Sequence, residues 1–227
     1  MKFSAILLCK KNSERVKNKN TRKFLNYKLG LTELKIRQLL KVKNLDEIIL
    51  STDDKKIINK YLNYNKKIRV VKRDKWLCKN STSTDSLIKY VTELASKESY
   101  ILWTQVCSPL VHSKIYESAI NFFKKNNKKF DSLVAVNKIQ EFLWSENGPY
   151  NYSFKNQVKW PKTQDLQELY KINSAIFIFN KKIYQKYKDR VGAKPYFFVM
   201  DKNISTDVDS IEEFNLAKSL FKLNGKI

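Results

Sequence analysis

Asp207 and Asp209 stand at i and i+2 in the run Ser205, Thr206, Asp207, Val208, Asp209 near the end of the 227-residue chain. In extended backbone two such side chains point the same way, which makes a compact pair of hard oxygen donors for a divalent cation. Near the other end, residues 9–20 (CKKNSERVKNKN) are polar and strongly basic. Placed after a buried strand, the backbone N–H groups and ammonium groups of such a run can wrap a polyphosphate; the alternative is an ordinary basic loop. It holds no glycine, so it matches neither of the glycine-rich phosphate-binding patterns. Asp53 and Asp54 suit the cap of a helix starting near Lys55, a contribution of about 0.3 to 1 kcal/mol. His112, the sole histidine, has nothing nearby to complete a nucleophile and base pair.

These residues need elements to position them. Apolar runs bounded by polar clusters predict strands over 3–8, 47–50, 68–71, 100–103, 132–136 and 175–179. Between and after them, 3.6-residue periodicity predicts helices over 31–40, 55–62, 86–94, 114–124 and 211–223; Ile115, Ala119, Ile120 and Phe123 fall on one face. Alternation of strand and helix through the first 125 or so residues implies a mostly parallel sheet with helices on both faces, an α/β fold. In such sheets ligands bind outside the carboxyl ends of the strands, which is where the basic loop and Asp53 lie. Residues 141–171 break the rhythm: Trp144, Tyr150, Tyr152, Phe154 and Trp160 are interleaved with Gly148, Pro149 and Pro161. So many aromatics do not suit a solvated loop, and the segment reads as a flap or subunit contact inserted in a single domain.

Composition bounds the class. The chain carries 45 Lys plus Arg against 22 Asp plus Glu, a formal net charge of +23, with 42% hydrophobic residues. That is too rich in core formers for a disordered chain. The charge invites a nucleic-acid reading, because phosphate backbones reward clustered cations. Only Arg15, Arg22, Arg37, Arg69, Arg73 and Arg190 are arginines, however, and the lysines run from end to end beside only four glycines. This is the pattern of a lysine-rich composition rather than of a recognition surface. Cys9, Cys78 and Cys107 lie far apart without zinc-ligand spacing, and no apolar run approaches the roughly 20 residues of a membrane span, so a reduced, cytoplasmic protein is expected.

Taken in order, the pieces resemble the cytidylyltransferase family of CMP-sialic acid synthetases. Residues 9–20 occupy the place of its A-R-G-G-S-K-x-I-P-x-K-N loop, with Ser13, Lys19 and Asn20 matching. S-T-D-D, R-D-K-W-L-C-K-N-S-T-S-T-D, Q-V-C-S-P-L, K-T-Q-D-L-Q-E-L-Y, I-N-S-A-I-F-I-F and D-V-D-S-I-E-E-F look like its later blocks. The match spans nearly the whole chain. It implies a Rossmann-like nucleotidyltransferase sheet with a small dimerisation or flap lobe, and transfer of CMP from CTP to a sugar oxygen with release of pyrophosphate and a requirement for Mg²⁺. By position, Lys19, Asp207 and Asp209 become catalytic, the two aspartates as metal ligands. Lys10, Asn12, Ser13, Asn20, Arg73, Ser83 and Gln105 become nucleotide-binding, and Lys162, Gln164, Asn173, Tyr196 and Phe197 acceptor-binding. The resemblance further implies a homodimer formed through 141–171 and a role in bacterial surface glycan synthesis.

The departures bear on the acceptor. Lys10 and Lys162 stand where the family has arginine, Lys11 and Asn12 replace its paired glycines, and Ser174 replaces a glycine. A point charge in place of a bidentate fork leaves room for a phosphorylated sugar or polyol instead of a sugar acid. Gln105 to Pro109 replaces the Gln-Gly-Asp-Glu-Pro stretch of the related octulosonate enzymes and disfavours that reading. A basic nucleic-acid-binding protein is the rival of another class.

Overall fold

Every other residue of the first strand is apolar and fully buried on one side, and the residues between them are buried on the other. A strand buried on both faces must lie inside a sheet that is covered twice. A computed structural model describes residues 1–153 and 159–223. Its elements run β1 (Lys2–Cys9), α1 (Gly30–Leu40), β2 (Glu47–Thr52), α2 (Lys55–Tyr61), β3 (Ile68–Lys72), α3 (Thr84–Leu94), β4 (Ser99–Gln105), α4 (Ser113–Asn126) and β5 (Ser132–Ile139). Then follow β6 (Trp144–Ser145), β7 (Gly148–Pro149), β8 (Leu169–Phe179), α5 (Lys181–Tyr187), β9 (Pro195–Val199) and α6 (Ile211–Leu223).

Seven strands form one sheet in the order β3-β2-β1-β4-β8-β5-β9. All neighbours pair in parallel except β8, which runs antiparallel to both β4 and β5. Phe3, Ala5, Leu7, Ile48, Leu50 and Leu102 point to the face covered by α1, α4 and α6. Ile6, Ile49, Ile101 and Trp103 point to the other, covered by α3 and half-buried residues of α5. The period of two along each strand thus splits the core into two layers. The expected helices and strands all form, most with bounds shifted by one or two residues. Two further elements, α5 and β9, carry no clean signal: α5 buries none of its residues fully and β9 is an edge strand with Phe197 and Val199 exposed.

Residues 141–171 do not form a separate core. β6 and β7 make a short antiparallel ribbon, and Asn151, buried, accepts from the Leu143 N–H at 3.0 Å and donates to the Glu141 carbonyl at 2.8 Å. The rings of Phe142, Trp144, Tyr152 and Trp160 lie against one another, yet Trp144 and Trp160 stay more than half exposed. Phe154 lies outside the described residues. The end of this segment, from Leu169, already belongs to β8.

The turn into α1 depends on one glycine. Gly30 has φ +57°, and a Cβ there would meet the Arg22 carbonyl oxygen at 2.1 Å. This close approach ties the end of the basic loop to the first helix. Gly30→Ala is expected to cost at least about 2 kcal/mol and to lower Tm by roughly 4 to 8 °C. A thermal melt with unchanged Tm would refute it.

Candidate active site

The first four strands order themselves so that β2 and β3 lie to one side of β1 and β4 to the other. Successive connections leave β1 in opposite directions, which opens a crevice at the carboxyl ends of β1 and β4. A cavity of about 270 Å³ lies there, lined by Leu8 and Lys10 at the end of β1, by Gln105 to Cys107 at the end of β4, and by Ser13, Lys19, Asn20 and Arg73. Six of the residues singled out in the sequence, Lys10, Ser13, Lys19, Asn20, Arg73 and Gln105, therefore meet in one place. Asn12 is exposed and is not among the lining residues. Ser83 caps α3, its hydroxyl accepting from the Ser86 N–H at 3.1 Å, and the lining residues near it are Thr82 and Leu87.

The basic loop is held in shape by side chains. Asn20, buried, donates to the Lys10 carbonyl at 2.8 Å, and its own carbonyl accepts from the Thr32 hydroxyl of α1 at 2.9 Å. Asp53 accepts from the Lys11 N–H at 2.7 Å, while Asp54 caps α2 through the Lys56 N–H at 2.8 Å. The adjacent carboxylates thus divide the work, one pinning the loop and one the helix. Lys10 reaches Asn80, which follows β3 and also lines the cavity. Arg73 is buried; one guanidinium nitrogen donates to the Leu77 carbonyl at 2.5 Å and its Nε has no partner.

Lys19 closes the site across the chain. Its ammonium donates to the Val208 carbonyl at 2.6 Å and to Asp209 Oδ1 at 3.0 Å, and Arg15 reaches the same oxygen at 2.8 Å. Burial pushes the Asp209 carboxyl up, but the hydrogen bonds and charges of Lys19 and Arg15 outweigh it and hold it below the ordinary carboxylate range. Asp207 shifts the other way: burial raises it, and the charge of Asp209 adds to that, against the hydrogen bond of the Cys107 thiol. Two carboxylates close together, one partly stripped of water, make an arrangement that a hard divalent cation would relieve. Among the described residues no group of three or more His, Cys, Asp or Glu could hold a metal. The fit is to a cation that takes one or two carboxylates and completes its shell with waters and phosphates, as Mg²⁺ does.

A second cavity, of about 600 Å³, lies on the far side of Asp207. Asn137, Lys171, Asn173, Ser174, Lys202 and Ser205 are among its lining residues. Cys107 lines the first cavity and Asp207 the second, so these two residues mark the boundary between the two. Ser174, where the resemblance places a glycine, has φ +60° at the bulge in β8 and so carries a strain of about 1 kcal/mol or more on the cavity wall. Of the acceptor candidates only Asn173 is here. Lys162 heads a 3-10 turn at Thr163–Asp165, and the Gln164 carbonyl accepts from Gln140 at 3.1 Å; neither lines the cavity. Tyr196 stacks on Phe122 of α4 with centroids 3.8 Å apart, and Phe197 lies against Tyr170 on the exposed edge.

One contributor carries no motif. Lys35 of α1 is fully buried and donates to the carbonyls of Ser108 and Val111 at 2.7 and 3.0 Å and to the Tyr116 hydroxyl at 2.8 Å. Gln38, one turn on, donates to the Pro109 carbonyl at 2.7 Å. Together they clamp the loop after β4 whose Cys107 carbonyl accepts from the Val208 N–H at 2.9 Å. His112, next to this loop, lines neither cavity.

A switch-point cavity lined by a basic loop, beside paired carboxylates, defines a nucleotide-handling α/β protein of the nucleotidyltransferase type. A family model described as cytidylyltransferase matches residues 4–224, and the chain belongs to that family of enzymes. The chain is 28% identical over 234 residues to a pseudaminic acid cytidylyltransferase of Campylobacter jejuni, covering 99% of this chain and 98% of that one. It is 28% identical over 173 residues to an N-acylneuraminate cytidylyltransferase of Streptococcus agalactiae, covering 74% of this chain and 41% of that one. A solved structure of CMP:2-keto-3-deoxy-manno-octonic acid synthetase complexed with CTP superposes with a TM-score of 0.66 at 11% identity, covering 99% of this chain and 100% of that one. That likeness speaks to the fold.

Burial pushes the Lys35 ammonium down to about 7, the nearby Cys107 working weakly against it. The unfolded chain holds that proton to about 10.4, so the unfolded state binds more protons above pH 7 and stability rises with pH from there. Lys35→Met lacks this slope. Urea midpoints at pH 6.5 and 8.5 should shift in favour of the unmodified chain as pH rises, and a constant gap between the two proteins would contradict the assignment.

Proposed function

We propose that this enzyme transfers CMP from CTP to a hydroxyl oxygen of a nonulosonate-type sugar acid. The observation that carries the reading is the meeting of two cavities near the paired carboxylates: a basic one lined by Lys10, Lys19 and Arg73, suited to phosphates, and a larger one lined by Asp207, suited to an acceptor. The names of the relatives in Campylobacter and Streptococcus support a sugar acid over a phosphorylated sugar or polyol. Membership of a cytidylyltransferase family favours an enzyme over a nucleic-acid-binding protein.

In this reading the acceptor hydroxyl gives up its proton to water as its oxygen forms a bond to the α-phosphorus, while the bond from that phosphorus to the β-phosphate bridging oxygen breaks and pyrophosphate leaves. The reaction is mainly positioning and charge neutralisation. Lys10, Ser13 and Lys19 receive the phosphates, with Asn20 holding the loop that presents them. Arg73, whose Nε lacks a partner, and Gln105 face the nucleoside. Asp207 and Asp209 hold Mg²⁺, which neutralises phosphate charge when bound. Lys19 and Arg15, which both hold Asp209 Oδ1, turn to the phosphates as the nucleotide arrives, and so free the carboxylate.

The exposed cluster of Trp144, Tyr150 and Trp160 supports pairing of two copies through this face. All three cysteines are unpaired, which suits a reducing cytoplasm, where CTP is supplied. Among the described residues no helix is long and apolar enough to cross a membrane. The sugar-acid product fits a role in surface glycan synthesis.

Pyrophosphate release with CTP, Mg²⁺ and a panel of sugar acids and alditol phosphates tests the reaction. Lys19→Met should lower kcat by about 100- to 1000-fold, and Asp209→Asn should lose activity while keeping its melting profile. Turnover confined to alditol phosphates would replace the acceptor assignment. Sedimentation should show a dimer that Trp160→Ser weakens, and a monomer at all concentrations would end the pairing proposal.

A further inference from the structure

The charges around the larger cavity can be accounted for one at a time. Glu141 is ion-paired with Lys202. Glu213 accepts from the Asp209 and Ser210 N–H groups at 2.7 and 2.8 Å while Ser210 accepts from the Glu213 N–H at 3.1 Å, so its carboxylate is spent on capping α6. Asp207 faces Cys107 and Asp209. One charged side chain remains: Lys171 makes no ion pair among the described residues. It lies on β8 two residues before Asn173 and directly opposite Asn137, so the three share a face of the sheet, and all three line the cavity. Asn173 is buried, and its Nδ2 has no hydrogen-bond partner among the described residues.

An unpaired cation beside an unsatisfied amide N–H on one cavity wall matches a carboxylate, which accepts from both. Resting on the sugar-acid reading above, the geometry points to Lys171, with Asn173, as the residue that grips the acceptor carboxylate. Lys162, which stands in the resemblance where an arginine does so, heads a turn of the flap and does not line this cavity. The replacement of that arginine by lysine then loses no specificity, because the contact has moved to the strand.

Steady-state kinetics of the Mg²⁺-loaded enzyme with CTP and a sugar acid that it turns over, run beside the methyl ester of the same acid, tests this. Lys171→Met should raise KM for the acid by about 10- to 100-fold, leave KM for CTP unchanged and make no difference with the ester; Lys171→Arg should recover most of the loss. Normal acceptor KM in Lys171→Met, or a rise of that size in Lys162→Met instead, overturns the assignment while leaving the sugar-acid reaction standing. An unmodified enzyme that turns over no sugar acid in the panel brings down the underlying reading, and this one with it.

Discussion

The reversal of chain direction about β1 is the constraint on which the rest of the molecule depends. Because β2 and β4 flank β1 on opposite sides, the loops that leave β1 and β4 part from each other and leave an opening between them. Lys10, Lys19, Arg73 and Gln105 are among the residues that line it. The opening is polar because every neighbouring strand is buried on both faces, so the carboxyl edge is where polar groups from the centre of the sheet can emerge. The rest of the site is built to keep that edge in register: Asn20 and Asp53 fix the loop after β1, and Lys35 and Gln38 fix the loop after β4.

Electrostatics sort the cations of this lysine-rich chain into a background and a working set. Most lysines are exposed, screened and free to be replaced. Lys19 is different, its side chain only 15% exposed and set against a carboxylate from the opposite end of the chain. A charge so placed is pre-positioned for an incoming anion and is balanced until one arrives. Lys35 is different again, buried without any carboxylate partner, its charge compensated by carbonyl dipoles and a hydroxyl. It therefore acts as a clamp rather than as a ligand for a substrate. The large net charge is a poor guide to the partner, since the cations that matter differ in burial and in what they touch.

How much was legible from residues alone follows the same division. Strand ends are local features, so the basic loop of residues 9–20 and the run from Gln105 could be placed by finding apolar runs and reading what comes next, while the roles of Lys10, Ser13, Lys19, Arg73 and Gln105 rest on the family resemblance. Lys35 could have been noticed: it sits among Leu31, Leu34 and Leu39 on the buried side of α1, where a lysine is out of pattern. The acceptor side was not legible in this way. Its wall is made where β8 runs antiparallel between β4 and β5, and nothing local in Leu169–Lys171 distinguishes that stretch from the flap before it. Tyr196 shows the converse, since a conspicuous aromatic turns out to stack on Phe122 of α4.

The strain at Ser174 connects these points. Antiparallel insertion of β8 between parallel neighbours shifts its register against β5 between Val134 and Val136, and the chain absorbs that shift at Ser174, with φ +60°. A glycine would take this conformation without strain, and the serine tolerates it because paired strands on both sides over-determine the backbone. Lys171 faces the larger cavity by strand alternation, opposite Asn137, and Asn173 lines it at the bulge, while Ala175 to Phe179 stay in the core. One backbone irregularity thus lets a single strand be core at its end and cavity wall at its beginning. Under the acceptor assignment proposed above, a substitution that relaxes Ser174 acts on the acceptor before it acts on the nucleotide.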